Sequence, residues 1–214
     1  MLEGNIPSSI GNCKKLQYLD LSQNNLRGTI PFEVFGLSSL SNLLNLSRNS
    51  LIGSLPREMG MLKSINKLDV SDNLLSGDVP RTIGECRALE YLFLHGNSFK
   101  GTIPSSLTSL KGLQYLDLSR NRLYGPISNV LQNISVLEHL NVSFNMLEGE
   151  VQTEGVFGNI SKLVVTGNNK LCGGISKLHL HPCPVKGIKP AKNHKIRICL
   201  SYLQDEEKKQ ETKL

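Results

Sequence analysis

The chain has 214 residues, 39% of them hydrophobic and 20% charged, with no tryptophan. That composition excludes a disordered polar chain, and a bilayer span, which takes about 20 mostly apolar residues, is absent. The net charge of +6 would suit nucleic acid, but residues 184–214 hold eight Lys and Arg against four Asp and Glu, leaving 16 basic against 14 acidic residues in the rest; with no basic stripe interleaved with stacking aromatics, nucleic acid is excluded as a partner.

The chain opens on MLEGNIPSSIGNC, and its Met-Leu-Glu-Gly returns at residues 146–149. The echo belongs to a long internal period, the signature of stacked repeats. Asn24, Asn49, Asn73, Asn97, Asn121 and Asn145 are spaced by 25, 24, 24, 24 and 24 residues, the one extra residue falling near Leu40. Three, five and eight residues before these asparagines stand aliphatics, as in Leu21, Leu19 and Leu16 or Val70, Leu68 and Ile65. Two, four and six residues after them stand a large apolar residue, a glycine and an aliphatic, as in Leu75, Gly77 and Val79 or Phe99, Gly101 and Ile103. The frame is L-x-x-L-x-L-x-x-N-x-L-x-G-x-I-P. The opening stretch is the second half of such a unit, its strand missing, and it lacks the basic and apolar regions of a signal peptide. Residues 1–214 alone are therefore expected to expose an uncapped core at this end and to aggregate.

Within each repeat the pattern sets the local structure. In YLDLS, Leu116 and Leu118 alternate with Tyr115, Asp117 and Ser119, so a short strand with one wet face is expected. In IPSSLTSLKGL, Ile103, Leu107, Leu110 and Leu113 follow helical spacing, and Pro104 fits a first turn, so a short helical return is expected opposite the strand. The corner asparagine carries an acceptor and two donors, enough to satisfy backbone groups left open where the strand turns. One repeat cannot bury its apolar face alone, so stability must come from stacking.

The cysteines divide by register. Cys13 and Cys86 lie eleven residues before Asn24 and Asn97, in the slot that Leu62, Leu110 and Ile134 fill elsewhere, and are expected to be buried. Three stacked strands separate them by about 14 Å, beyond the ~7 Å that a disulfide allows between Cα atoms. Asn169, 24 residues after Asn145, opens a seventh, shortened repeat, NNKLCGG, after which the chain leaves the frame through ISKLHLHPCP. A Cys172–Cys183 bond would close a short loop, stabilise by about 3 kcal/mol in the chain-entropy estimate, and cover the end of the core. Cys172, His179, His181 and Cys183 could instead ligate zinc, although their spacing matches no common zinc pattern and the two histidines fit strand alternation. Cys199 is left as a free thiol. Domain limits follow: repeats over 1–161, a capping unit over 162–184 and a basic, disordered tail over 185–214.

LDLSRN, LEYLFLHGNSFKGTIPSSL, LNVSFNMLEGEV, EGVFGN and GNNKLCGG together resemble the C-terminal end of the extracellular leucine-rich repeats of plant receptor-like kinases, nearest the immune receptors for bacterial patterns. The resemblance covers residues 1 to about 195; Ser128 and Gln152 replace the family's proline, which loosens two turns without breaking the stack. It implies a leucine-rich-repeat solenoid, a curved superhelix with short parallel strands on its concave face and short helical or irregular returns on its convex face. It also implies an ectodomain whose face contacts a peptide or protein ligand and whose last repeats approach a co-receptor kinase ectodomain, with immune signalling as the process. The outward strand positions on that face include Tyr18, Lys67, Tyr91, Phe93, His95, Tyr115 and His139, and the fourth repeat differs most, placing Phe93 and His95 where others have Asp or Asn and Ser.

Four N-glycosylation sequons occur, at Asn45, Asn133, Asn141 and Asn159; a glycan on Asn45 or Asn141 would obstruct the strand face beside it. No phosphate loop and no HRD, DFG or VAIK segment is present, so neither an enzyme nor a cofactor is expected and the family's kinase lies outside this chain. A basic stretch like KGIKPAKNHK precedes the membrane helix in the family. Here Arg197 interrupts the apolar residues that follow, so the full-length relative sits on the outer side of the plasma membrane whereas this chain lacks both signal peptide and transmembrane segment. The other function class is a free-standing secreted inhibitor or decoy, similar to the polygalacturonase inhibitors.

Overall fold

A computed structural model describes residues 1–184. The tail over 185–214, including Cys199, lies outside the described residues. The repeats and cap form one compact unit, Met1–Pro182, and a second unit runs Cys183–Leu214.

The alternating leucines build the expected sheet. Its seven parallel strands, Tyr18–Asp20, Leu43–Asn45, Lys67–Asp69, Tyr91–Phe93, Tyr115–Asp117, His139–Asn141 and Leu163–Val164, lie side by side in chain order. Leu44, Leu68, Leu92, Leu116 and Leu140 face one another in register and are fully buried. Parallel in-register stacking turns one sequence period into one continuous apolar column. Phe35, Phe99 and Phe157 are the largest side chains in that core.

The second half of the frame forms strands as well, a feature the spacing did not reveal. Glu3–Asn5, Asn25–Thr29, Ser50–Gly53, Leu74–Asp78 and Ser98–Lys100 make a five-stranded parallel sheet on the flank, and Tyr124–Gly125, Met146–Val151 and Lys170–Gly173 make a three-stranded one. The recurrent glycine is the reason it needs no side chain: Gly101 has φ +80°, and a Cβ there would sit 2.8 Å from an Asp78 carboxylate oxygen of the preceding turn.

The returns are 3-10 turns rather than helices. Ser105–Ser109 is representative, with Leu107 N–H donating to the Pro104 carbonyl at 3.2 Å. Five residues are too few for an α-helix to propagate, and the tighter i to i+3 bond closes the return instead. Pro104 precedes the turn in extended geometry, φ −63° and ψ 127°, rather than occupying its first turn. Ser128 holds almost the same angles, −61° and 120°, so the lost proline changes nothing in the backbone. After Gln152 the return starts late, at Gly155–Gly158. The extra residue near Leu40 is absorbed between the return and the strand: Leu40 N–H donates to the Leu37 carbonyl as Ile65 N–H does to Leu62, but the strand begins three residues after Leu40, at Leu43, and only two after Ile65, at Lys67.

The asparagine corners hold these segments together. Asn121 Nδ2 donates to the Leu94, Leu118 and Ser119 carbonyls at 3.0, 3.1 and 3.1 Å, while its Oδ1 accepts from Phe99 N–H at 3.0 Å. One side chain thus ties its own turn to the strand and flank of the turn before. In the last repeat Asn168, not Asn169, takes this place: it is buried, accepts from Leu147 N–H and donates to the Val142 and Val165 carbonyls, whereas Asn169 is exposed. The strand before it, Leu163–Val164, pairs 23 residues after its neighbour, Leu140 with Leu163, which draws the corner back by one.

The cap follows. Leu178 and Leu180 pack, half-buried, against the core, and Gly173 N–H donates to the His181 carbonyl at 2.9 Å. Cys172 and Cys183 are each disulfide-bonded. Among the described residues no group of three His, Cys, Asp or Glu side chains is arranged to hold a metal, and no helix is long and apolar enough to cross a membrane. Cys13 is a correction: it is exposed, because its turn is the first of the stack and is covered on one side only. Cys86 is buried as expected, its thiol donating to the Met59 carbonyl at 3.2 Å, and burial with the nearby Glu85 charge pushes that thiol up to about 12.

Replacing Asn121 by Ala strands one buried N–H and three carbonyls and is expected to cost about 3 kcal/mol in denaturant unfolding, more than the same change at the half-exposed Asn24. Brief alkylation of the native protein at neutral pH, followed by peptide mapping, should modify Cys13 and spare Cys86 until the chain is unfolded. A thiol held protonated by the fold supports the folded state below the free value of 9.0, and that support is lost as pH climbs toward about 12.

Candidate ligand-binding face

On the outer surface of the sheet, the strands from Tyr18–Asp20 to His139–Asn141 carry two rows of side chains, one residue per strand in each. The first row runs Tyr18, Leu43, Lys67, Tyr91, Tyr115, His139. In it Tyr91 and Tyr115 stack with centroids 5.2 Å apart, and Tyr115 stacks on His139 at 5.9 Å. Strand spacing of about 4.8 Å is what brings successive rings into contact. The Tyr91 hydroxyl reaches Gln114 Oε1 at 3.3 Å.

The second row runs Asp20, Asn45, Asp69, Phe93, Asp117, Asn141. Apart from Phe93, each side chain folds back on its own turn: Ser22, Ser47, Ser71, Ser119 and Ser143 donate their N–H groups to it at 2.9 to 3.1 Å. The asparagines also donate to the aspartate before them, Asn45 to Asp20 at 3.3 Å and Asn141 to Asp117 at 3.2 Å. The Ser22 side chain above all, with the Ser22 N–H, the Asn45 amide and the Lys67 charge, holds the Asp20 carboxyl below its usual value against the opposing effect of burial.

Phe93 and His95 interrupt this order. Lys67 Nζ lies 5.2 Å from the centre of the Phe93 ring, a cation over an aromatic face. The His95 ring meets Phe93 edge-on at 6.4 Å and stands between two carboxylates of neighbouring turns, 3.9 Å from Asp72 and 3.7 Å from Asp117. Arg48 also reaches Asp72, at 3.7 Å. With the ring stack of the first row, the result is an aromatic and charged patch over four adjacent strands.

Of the expected face residues, Lys67, Tyr91, Phe93, His95, Tyr115 and His139 converge there. Tyr18 does not: it is 60% exposed at the far end of the row, with Leu43 between it and Lys67. Asp69, Asp72, Asp117 and Gln114 were missed because each occupies an ordinary polar slot of the repeat; the available signal was that His95 replaces a serine between two such slots. The sequons separate too. Asn45 and Asn141 belong to the second row, with both side-chain ends bonded, whereas Asn133 and Asn159 are exposed beside the 3-10 turns on the opposite side of the repeat.

Leucine rich repeat family models match residues 42–99, and residues 15–37 and 112–134. The ectodomain of the receptor kinase GASSHO1/SCHENGEN3 of Arabidopsis thaliana, solved with CASPARIAN STRIP INTEGRITY FACTOR 2, is 37% identical with a TM-score of 0.77 over 85% of this chain and 21% of that one. The receptor kinase SOBIR1 ectodomain of the same species is 35% identical with a TM-score of 0.52, over 61% of this chain and 75% of that one. The chain belongs to the plant leucine-rich-repeat receptors. A third member of this receptor family, Arabidopsis HAESA, solved with the peptide hormone IDA and the co-receptor SERK1, is 34% identical with a TM-score of 0.73 over 80% of this chain and 28% of that one. The curated relatives are plant receptor kinases and receptor-like proteins of Arabidopsis thaliana and Oryza sativa subsp. japonica, 37 to 48% identical, and the chain spans only 5 to 9% of their length.

In this leucine-rich-repeat chain, Tyr115→Ala removes the middle ring of the stack and is expected to cost about 1 to 2 kcal/mol in unfolding experiments. Tyr18→Ala should stay within about 0.5 kcal/mol.

Proposed function

We propose that the chain is the ligand-binding part of a plant receptor ectodomain, and that the patch around Tyr91, Phe93, His95, Tyr115 and His139, with Lys67, contacts a peptide or protein ligand. The observation that carries this reading is that a row of self-bonded Asp, Asn and Ser, which ends at Val164 on the last strand, is interrupted within the stack at one repeat, by Phe93 and His95. A repeat selected for stacking alone would keep its polar pair there. Rigid aromatic side chains lose little entropy on binding and serve well as anchors.

A co-receptor kinase ectodomain is the second partner, approached by the last repeats and the cap. HAESA with IDA and SERK1 is a relative in which a peptide and a co-receptor bind together. Immune signalling is the process we assign, from the likeness of EGVFGN and GNNKLCGG to the bacterial-pattern receptors. We place the glycans on Asn133 and Asn159, which leaves the patch clear, and the domain outside the plasma membrane in its full-length form.

The test is a binding screen of the chain against synthetic plant peptides and fractionated bacterial proteins, by interferometry, with and without a co-receptor ectodomain. The Phe93→Ala, His95→Ala pair is expected to weaken the ligand by about 30-fold, the scale of a lost anchor. Unchanged binding by the pair would overturn the anchor assignment, and a ligand found only among plant peptides would overturn the immune one.

A further inference from the structure

The second row of the face has a regular alternation of charge: Asp20 with Asn45, Asp69 with Phe93, Asp117 with Asn141. In the first and third pairs one carboxamide performs two tasks. Asn45 Nδ2 donates to Asp20 Oδ2 at 3.3 Å, and its Oδ1 accepts from Ser47 N–H at 3.1 Å and from the Ser47 hydroxyl at 2.8 Å. Asn141 repeats this with Asp117 Oδ2 at 3.2 Å, Ser143 N–H at 3.1 Å and the Ser143 hydroxyl at 2.7 Å.

In the middle pair the carboxamide is replaced by the Phe93 ring, and its two partners are left over. Asp69 Oδ1 is taken by Ser71 N–H and hydroxyl, but Asp69 Oδ2 accepts no hydrogen bond from any described residue. The His95 backbone N–H, which stands where Ser47 and Ser143 donate, finds no acceptor among the described residues either. His95 Nδ1, buried beside it, is also without a hydrogen-bond partner. One acceptor and one donor therefore remain open on adjacent turns, at the repeat positions that a single carboxamide bridges in the turns on either side.

We propose that this gap is a recognition subsite for a carboxamide of the ligand: an Asn or Gln side chain of a bound peptide, its NH2 donating to Asp69 Oδ2 and its oxygen accepting from His95 N–H. The neighbouring Phe93 face, with Lys67 across it, takes an apolar side chain next to that residue. The ligand thereby supplies the group that the receptor's own repeat omits. An isosteric carboxylate ligand is rejected, because it brings no donor and places like charge against Asp69, with Asp72 and Asp117 also near. The selectivity is that of a site built for a hydrogen-bonding group, which discriminates strongly against analogues that lack it. This inference rests on the sheet face being the ligand surface.

Two experiments test it, both on the full chain. Phe93→Asn with His95→Ser restores the polar pair within the protein, and its unfolding midpoint is expected to rise above that of the wild type; a lower midpoint would mean that the two groups are not in need of a partner and overturns the inference. In the second, a displayed library of random linear peptides is selected on the wild type, and the enriched peptides are synthesised. They are expected to carry an Asn or Gln beside an apolar residue, to lose at least tenfold in affinity when that residue becomes Asp or Glu, and to lose as much on Asp69→Asn and on Phe93→Asn with His95→Ser. Peptides that bind, depend on Phe93→Ala with His95→Ala, yet show no Asn or Gln enrichment and tolerate Asp69→Asn, would overturn the carboxamide subsite while leaving the face reading intact. A library that yields no binder sensitive to any of these substitutions overturns both.

Discussion

The corner asparagine is the interaction on which the rest depends. A solenoid turn must leave its strand, and where it leaves, backbone carbonyls and N–H groups lose their ladder partners inside the core. The Asn121 carboxamide meets three carbonyls and one N–H at once, two of these groups belonging to the preceding turn. No other small side chain offers both functions in that volume: Asp has no donor, Gln is too long, and Ser has one donor only. With the corner satisfied, the leucine column can be dry on every side, and the sheet face is free to vary.

That division of labour explains what could be read from sequence. The buried half of each repeat is tied to a fixed geometry, so the positions of Leu68, Asn73 and Gly77 announce the stack with no further information. The flank sheet was hidden because its alternation is interrupted by the glycine, which looks like a turn signal and is a strand residue at positive φ. The return was over-read as a helix, since apolar spacing of three and four suits a 3-10 turn of five residues equally well. The slip from Asn169 to Asn168 was invisible for a simpler reason: two asparagines stand side by side, and only the pairing of Leu140 with Leu163 decides between them.

The face was legible in part. Outward positions followed directly from strand alternation, and Tyr91, Phe93, His95 and Tyr115 stand half-buried on the outer side of the sheet. Which of them touch one another depends on side-chain reach across strands: it brings Lys67 over Phe93 and His95 between Asp72 and Asp117, and leaves Tyr18 apart. Cys13 shows the opposite dependence, since a slot that is buried in the middle of a stack becomes surface in its first turn.

The alternation of aspartate and asparagine along the second row gives the receptor two periods. Its backbone and core repeat every turn, but the sheet face repeats every second turn, so that no carboxylate stands directly beside another on the next strand. Loss of the Asn45 turn would preserve the core and the corners, yet bring Asp20 and Asp69 within about 5 Å of each other. Shortening of such a stack is therefore limited by charge on its surface as well as by packing in its core.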